Sequence, residues 1–211
     1  MRRLPVYFLL DTSGSMYGEP IEALRNALSG MISILRQDAH ASESVWLSII
    51  TFDREVKELS PLIDLPSFQM PDIVCPRSGP TFTGKALDFL NKKIKEEIRV
   101  GSPIQKGDWK PLLFLFTDGK PSDIQVYREA ISKIKLLNFG AIVGCAAGAS
   151  GDNEKLKELT DTVVHLETAD GSTLKQFFIW VSETIEQGNK SMGTTDAIDL
   201  PPPPSDDIII I

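Results

Sequence analysis

Residues 4–15 read Leu4-Pro-Val-Tyr-Phe-Leu-Leu10-Asp11-Thr12-Ser13-Gly14-Ser15, a short continuous apolar run that breaks off at a polar turn. Seven residues without helical or alternating period fit a strand covered on both faces, and the Asp-Thr-Ser-Gly-Ser group that follows supplies turn-forming side chains. From Pro20, well placed for a first helical turn, Ile21, Leu24, Leu28, Met31, Ile32 and Leu35 recur at three- and four-residue spacing and predict an amphipathic helix. Val45 to Phe52 is β-branched and apolar, a second central strand, and Val56 to Leu62 a third, more exposed one.

Residues 64–82, rich in Pro, Ser, Gly and Asp, read as a loop. Beyond Thr83 a helix is marked by Ala86, Leu87, Leu90, Ile94 and Ile98, and Lys110 to Thr117 is the most apolar strand, ending at Asp118-Gly119. Ile124 to Leu137 predicts another helix, Phe139 to Cys145 a strand, Glu154 to Leu159 a short helix, Thr162 to His165 a last short strand and Leu174 to Ile185 a closing helix. This alternation predicts an α/β fold, a doubly wound and mostly parallel central sheet with helices on both faces. In such folds ligands bind beyond the carboxyl ends of the strands.

The chain has 211 residues, enough for one domain, expected over 1–188. Residues 189–211 have a different character, with four consecutive prolines and one Lys against four Asp, and read as an acidic Pro-rich tail. Two readings of the tail stand: a flexible extension, or a docking peptide whose Ile208 to Ile211 end packs on this protein or on a partner. Lys and Arg total 22 against 29 Asp and Glu, a net charge of −7, which argues against a broad electrostatic grip on nucleic acid or anionic lipid. No apolar run approaches the ~20 residues of a membrane span. Cys75 and Cys145 lie among apolar residues, too few for a disulfide framework and consistent with buried thiols in the cytoplasm.

Three segments converge at one edge of the predicted sheet. The first strand delivers Asp11, Ser13 and Ser15, the loop before the middle helix Thr81 and Thr83, and the most buried strand Asp118. Carboxylates with hydroxyls, and no His or Cys, form a ligand set for a hard divalent cation such as Mg²⁺, Mn²⁺ or Ca²⁺. Alternate side chains of D-x-S-x-S can meet at one point, with Gly14 letting the backbone bend.

Other chemistries match less well. Gly79 to Lys85 has the spacing of a nucleotide-binding P-loop, but Ala86 stands where a metal-binding hydroxyl belongs. A Mg²⁺-dependent phosphohydrolase with its nucleophile at Asp11 would need a general acid at position 13, which is a serine. The two histidines, His40 and His165, read as structural. Glu19, Asp53, Asp123 and Asp152 fall near the same edge, as caps, solvated charges or groups that tune the site. Trp46 and Trp180 fall on core stripes.

DTSGSM at 11–16, GPTFTGKAL at 79–87 and FLFTDGKPSD at 114–123 together resemble the von Willebrand factor A domain with its metal-ion-dependent adhesion site. The resemblance spans residues 4–188. It implies that Asp11, Ser13, Ser15, Thr81 and Asp118 hold the metal, and that the protein binds rather than catalyses. It further implies an open coordination position for an Asp or Glu of a protein partner. DTSGSMYGEPIEALRNAL looks more narrowly like the TerY branch of stand-alone A domains, associated with tellurium resistance and stress response. That likeness implies a Ser/Thr kinase and a phosphatase of the same system as further partners, and a scaffold regulated by phosphorylation as an alternative function.

Overall fold

A computed structural model describes residues 2–104, 106–148, 153–191, 200–202 and 208–210. Its order is β1 (Leu4–Asp11), a 3₁₀ turn (Gly14–Met16), α1 (Glu19–Gln37), α2 (Ala39–Ser44), β2 (Val45–Phe52), β3 (Val56–Asp64), α3 (Thr83–Glu97) and β4 (Leu112–Thr117). There follow α4 (Ile124–Ile134), β5 (Ala141–Ala147), α5 (Asn153–Leu159), β6 (Thr162–Leu166), α6 (Gly171–Ser191) and β7 (Ile208–Ile210). The strands form one sheet in the order β3-β2-β1-β4-β5-β6-β7, antiparallel only at its two edge pairs, β2 with β3 and β6 with β7.

The unbroken apolar run of β1 follows from burial on both faces. Leu4, Val6, Phe8 and Leu10 pack in the layer of α1 and α6, whereas Tyr7 and Leu9 pack in the layer of α3, α4 and α5. Phe8 and Phe114 stack across the β1–β4 pair with ring centroids 5.4 Å apart, and Phe177 and Phe178 of α6 continue the cluster. Rings at such separations add roughly 0.5–1.5 kcal/mol per pair beyond area burial. The sheet order reverses between β1, whose chain continues toward β2, and β4. This is the switch point at which ligands collect in open α/β sheets.

Several local expectations shift. The polar AHASES segment forms α2 because the Asp38 carboxylate accepts from the Ala41 N–H at 2.7 Å, a cap that places His40 in a helix instead of a loop. Strand β5 starts at Ala141, since Phe139 and Gly140 are spent in a turn whose Gly140 N–H donates to the Pro111 carbonyl at 2.9 Å. Trp46 is half-buried with Arg3 over its ring, while Arg2 lies 3.6 Å over Trp109 at the same end of the sheet.

The C-terminal segment left two readings open, and Ile208–Ile210 pair antiparallel with β6, Ile208 opposite Leu166 and Ile210 opposite Val164. Ile208 is buried, Leu200 packs against the same core, and the Trp180 indole donates to the Pro201 carbonyl at 2.8 Å. Residues 192–199, 203–207 and Ile211 lie outside the described residues. Trp180→Phe keeps the ring but leaves that buried carbonyl unpaired, a loss of about 1–2 kcal/mol. The expected result is a lower denaturant midpoint and faster amide exchange in β6 and β7 than elsewhere in the sheet.

Candidate metal centre

β1 and β4 are neighbours in parallel register, Leu10 opposite Phe116, so Asp11 and the Thr117-Asp118 pair leave the sheet side by side. Asp11 is wholly buried, and both its oxygens are engaged. Oδ1 accepts from the Ser13 N–H at 2.8 Å and Oδ2 from the Thr117 hydroxyl at 2.6 Å. Burial pushes its carboxyl up to about 6, the nearby Asp118 charge adds to the rise, and these hydrogen bonds oppose it. Asp118, half-buried, is also raised by desolvation, against which the Ser15 hydroxyl works by donating to its Oδ1 at 2.8 Å.

The Ser13 and Ser15 hydroxyls lie 3.2 Å apart, so Ser13, Ser15 and Asp118 form a continuous line of oxygens in front of Asp11. Thr81, buried, enters from the opposite loop. Its N–H donates to the Ser122 hydroxyl at 3.2 Å and its carbonyl accepts from the Ser122 N–H at 2.8 Å, which clasps it to the β4–α4 loop. A Cβ on Gly119 would stand 3.4 Å from the Thr81 hydroxyl, which places that oxygen beside the residue that follows Asp118. All five residues expected at the site therefore come together at one switch point.

Among the described residues no three His, Cys, Asp or Glu side chains gather as a metal cluster, so any cation here must draw on hydroxyls. Two carboxylates that burial disfavours as anions, beside three alcohols, fit a hard divalent ion. Such an ion would remove the repulsion between Asp11 and Asp118. Ser13, Ser15 and Thr81 would offer it hydroxyl oxygens, with Asp118 at the rim and Asp11 behind.

Gly14 serves a purpose other than bending. Its φ is not in the left-handed region, but a Cβ there would lie 2.6 Å from Ser78 Cα and 3.2 Å from the Arg77 carbonyl. The 75–80 loop thus closes directly on the serine turn. The Cys75 thiol beneath it donates to the Ser13 carbonyl at 3.1 Å, and burial with three surrounding carboxylates raises it to about 11, so it stays a protonated thiol that braces the turn. The Asp53 carbonyl accepts from the Phe82 N–H at 3.1 Å, tying the end of β2 to the Thr81 loop.

Asp123 caps a helix, though not its own: it accepts from the Gly84 and Lys85 N–H groups at 3.0 and 2.9 Å and so closes the start of α3. Those amides would cradle phosphate in a P-loop, and no strand leads into Gly79. Asp152 lies outside the described residues. Thr117, Ser122 and Gly119 were not singled out in the sequence; only T-D-G at the end of the most buried strand signalled the first and last.

A doubly wound α/β sheet with a cluster of side-chain oxygens at its order reversal is the arrangement of an A-type domain. The chain belongs to the von Willebrand factor type A domain family, whose model matches residues 6–179. Its fold is similar to that of proximal thread matrix protein 1 from the mussel byssus, in a form whose MIDAS motif is occupied by zinc, with 17% identity and a TM-score of 0.64 over 86% of this chain and 47% of that one. It is likewise similar to the ArnB paralog VWA2 of Sulfolobus acidocaldarius, at 16% identity and TM-score 0.61 over 87% of this chain and 45% of that one. A von Willebrand factor type A protein of Catenulispora acidiphila matches at 18% identity and TM-score 0.63 over 88% of this chain and 43% of that one. The chain spans less than half the length of each of these structures. No curated protein matches it in sequence. No helix among the described residues is long and apolar enough to cross a membrane.

Proposed function

We propose that the protein is a metal-dependent protein-interaction module whose cation is held by Asp11, Ser13, Ser15, Thr81 and Asp118. The observation that carries this is the unbroken line from Ser13 to Ser15 to Asp118, 3.2 and 2.8 Å, set against the buried Asp11 at the switch point. Mg²⁺ suits the donors best by hardness, with Mn²⁺ and Ca²⁺ as alternatives. The protein donors are mostly neutral alcohols, so the ion keeps net positive charge toward solvent, and an Asp or Glu from a partner completes its shell.

Binding without catalysis fits the placement of the only histidines. His40 lies beyond the far end of α1, and His165 sits on β6, separated from β1 by β4 and β5 in the sheet. Neither can activate Ser13 or Ser15. A cytoplasmic role in the TerY branch, with a tellurium-resistance kinase and phosphatase, is supported by the 11–28 segment alone. Ser15, exposed beside Asp118, is the hydroxyl of the site that a kinase can reach, and a phosphate there would repel an acidic partner.

The test is affinity capture with wild type and Asp11→Ala, each in Mg²⁺ and in EDTA. A set of proteins retained only by wild type in Mg²⁺ is the expected result. Equal recovery in all four arms rejects the proposal.

A further inference from the structure

Beside the candidate centre lies a patch that the cation does not use. Tyr17 follows the 3₁₀ turn, its N–H donating to the Gly14 carbonyl at 3.3 Å, and its side chain is 49% exposed. The Arg77 guanidinium lies 5.7 Å from the Tyr17 ring centroid, and the Arg77 carbonyl is 3.2 Å from where a Cβ on Gly14 would stand. Val74, 73% exposed, precedes the cysteine whose thiol reaches the Ser13 carbonyl. Tyr17 is therefore bonded to the turn that carries Ser13 and Ser15, Arg77 lies against it, and Val74 neighbours the cysteine that braces it.

Their side chains have no evident structural duty. Arg3 is paired with Asp108, Arg25 with Asp72, and Arg36 with the carbonyls of Leu65 and Phe68. Among the described residues Arg77 makes no ion pair and only leans on Tyr17, an arrangement that pre-orients a guanidinium without neutralising it. In a chain of net charge −7, an unpaired guanidinium on an exposed aromatic next to an anion-seeking centre is a local complement to negative charge.

We infer that the partner is a peptide segment with two acidic residues, one for the metal and a second for Arg77, and an apolar side chain seated on Tyr17. This rests on the metal-dependent reading given above. The Arg77 backbone lies against the serine turn at Gly14, so one short segment can reach both the metal position and the guanidinium. Arg77 meets the second carboxylate with two parallel N–H donors, which Lys cannot do.

An immobilised hexapeptide library, probed with wild type, Arg77→Ala and Arg77→Glu in Mg²⁺ and in EDTA, tests this. Wild type is expected to enrich peptides with two acids and an adjacent aromatic or aliphatic residue, at least about tenfold over single-acid peptides. Arg77→Ala should keep one acid and lose the preference for the second. Arg77→Glu should exchange that preference for Lys or Arg, a gain that misfolding cannot produce. Enrichment of single acids by wild type, or a two-acid preference unchanged in the Arg77 variants, overturns the inference and leaves the metal reading standing. Absence of acidic enrichment, or enrichment unchanged by EDTA, overturns both.

Discussion

Asp11→Asn is expected to weaken divalent-cation binding about 10–100-fold while leaving the metal-free protein folded. The substituted amide has nearly the shape of the carboxylate, and its oxygen can still accept from Ser13 or Thr117. What it removes is the charge behind the hydroxyls; the loss of even an outer-sphere partner of a metal site costs about 10–100-fold in affinity. For wild type, cation at about 100 times its dissociation constant adds about 2.7 kcal/mol. In a domain of this size that is a rise of about 5–10 °C in Tm. Differential scanning calorimetry with and without Mg²⁺ should show this rise in wild type and, at the same Mg²⁺ concentration, about half of it or less in Asp11→Asn. An equal rise in both would remove Asp11 from the site.

The metal-free proteins should also differ in pH dependence. The folded-state value of Asp11 is raised to about 6, against about 3.9 in an unfolded chain. The folded state therefore binds more protons across that interval. Its contribution to stability is present below about pH 4 and lost as pH rises through about 6. Asn carries no such titration, so the slope difference between the two metal-free proteins isolates Asp11.

The second large effect belongs to Gly84. A Cβ there would fall 2.3 Å from Tyr127 N and 2.7 Å from Tyr127 Cα, so the obstacle is the backbone of α4 and no side-chain rotation relieves it. Gly84→Ala must push α3 away from α4 where Asp123 caps it and where Tyr127, buried, donates its hydroxyl to the Lys155 carbonyl at 2.6 Å. We expect a loss of about 3 kcal/mol, the upper part of the overpacking range, seen as a lower urea midpoint. Gly30→Ala is the control: nothing lies within 4 Å of its Cβ in the interior of α1, and it should gain about 0.5–1 kcal/mol. A Gly84→Ala protein as stable as wild type would show that the two helices do not pack this closely.

Legibility of the fold tracked burial. β1 and β4 could be read from composition because both their faces are covered, and α1 and α3 because one stripe of each is. Elements without such a stripe were harder to read: α2 depends on the Asp38 cap, and the docking reading of the Ile208 to Ile211 end could be chosen over a free tail only through its pairing with β6. At the site, the residue types that suggest a cation were visible in three motifs. The supports were not, because Thr117, Ser122 and Cys75 gain their roles only through strands and loops brought together from distant positions. Gly14 was placed correctly in the turn, but its reason, a neighbouring loop at contact distance, exists only in three dimensions.

The bond from Thr117 to Asp11 joins residues 106 positions apart. Closing so long a loop is slow and is repaid only once β1 and β4 have paired at the centre of the sheet. During synthesis, the serine turn is made early and waits for most of the domain to emerge before Asp118 meets it. A cation at this site therefore cannot nucleate the fold. It would arrive as a late arbiter, its capture marking chains whose β1–β4 pair has already formed.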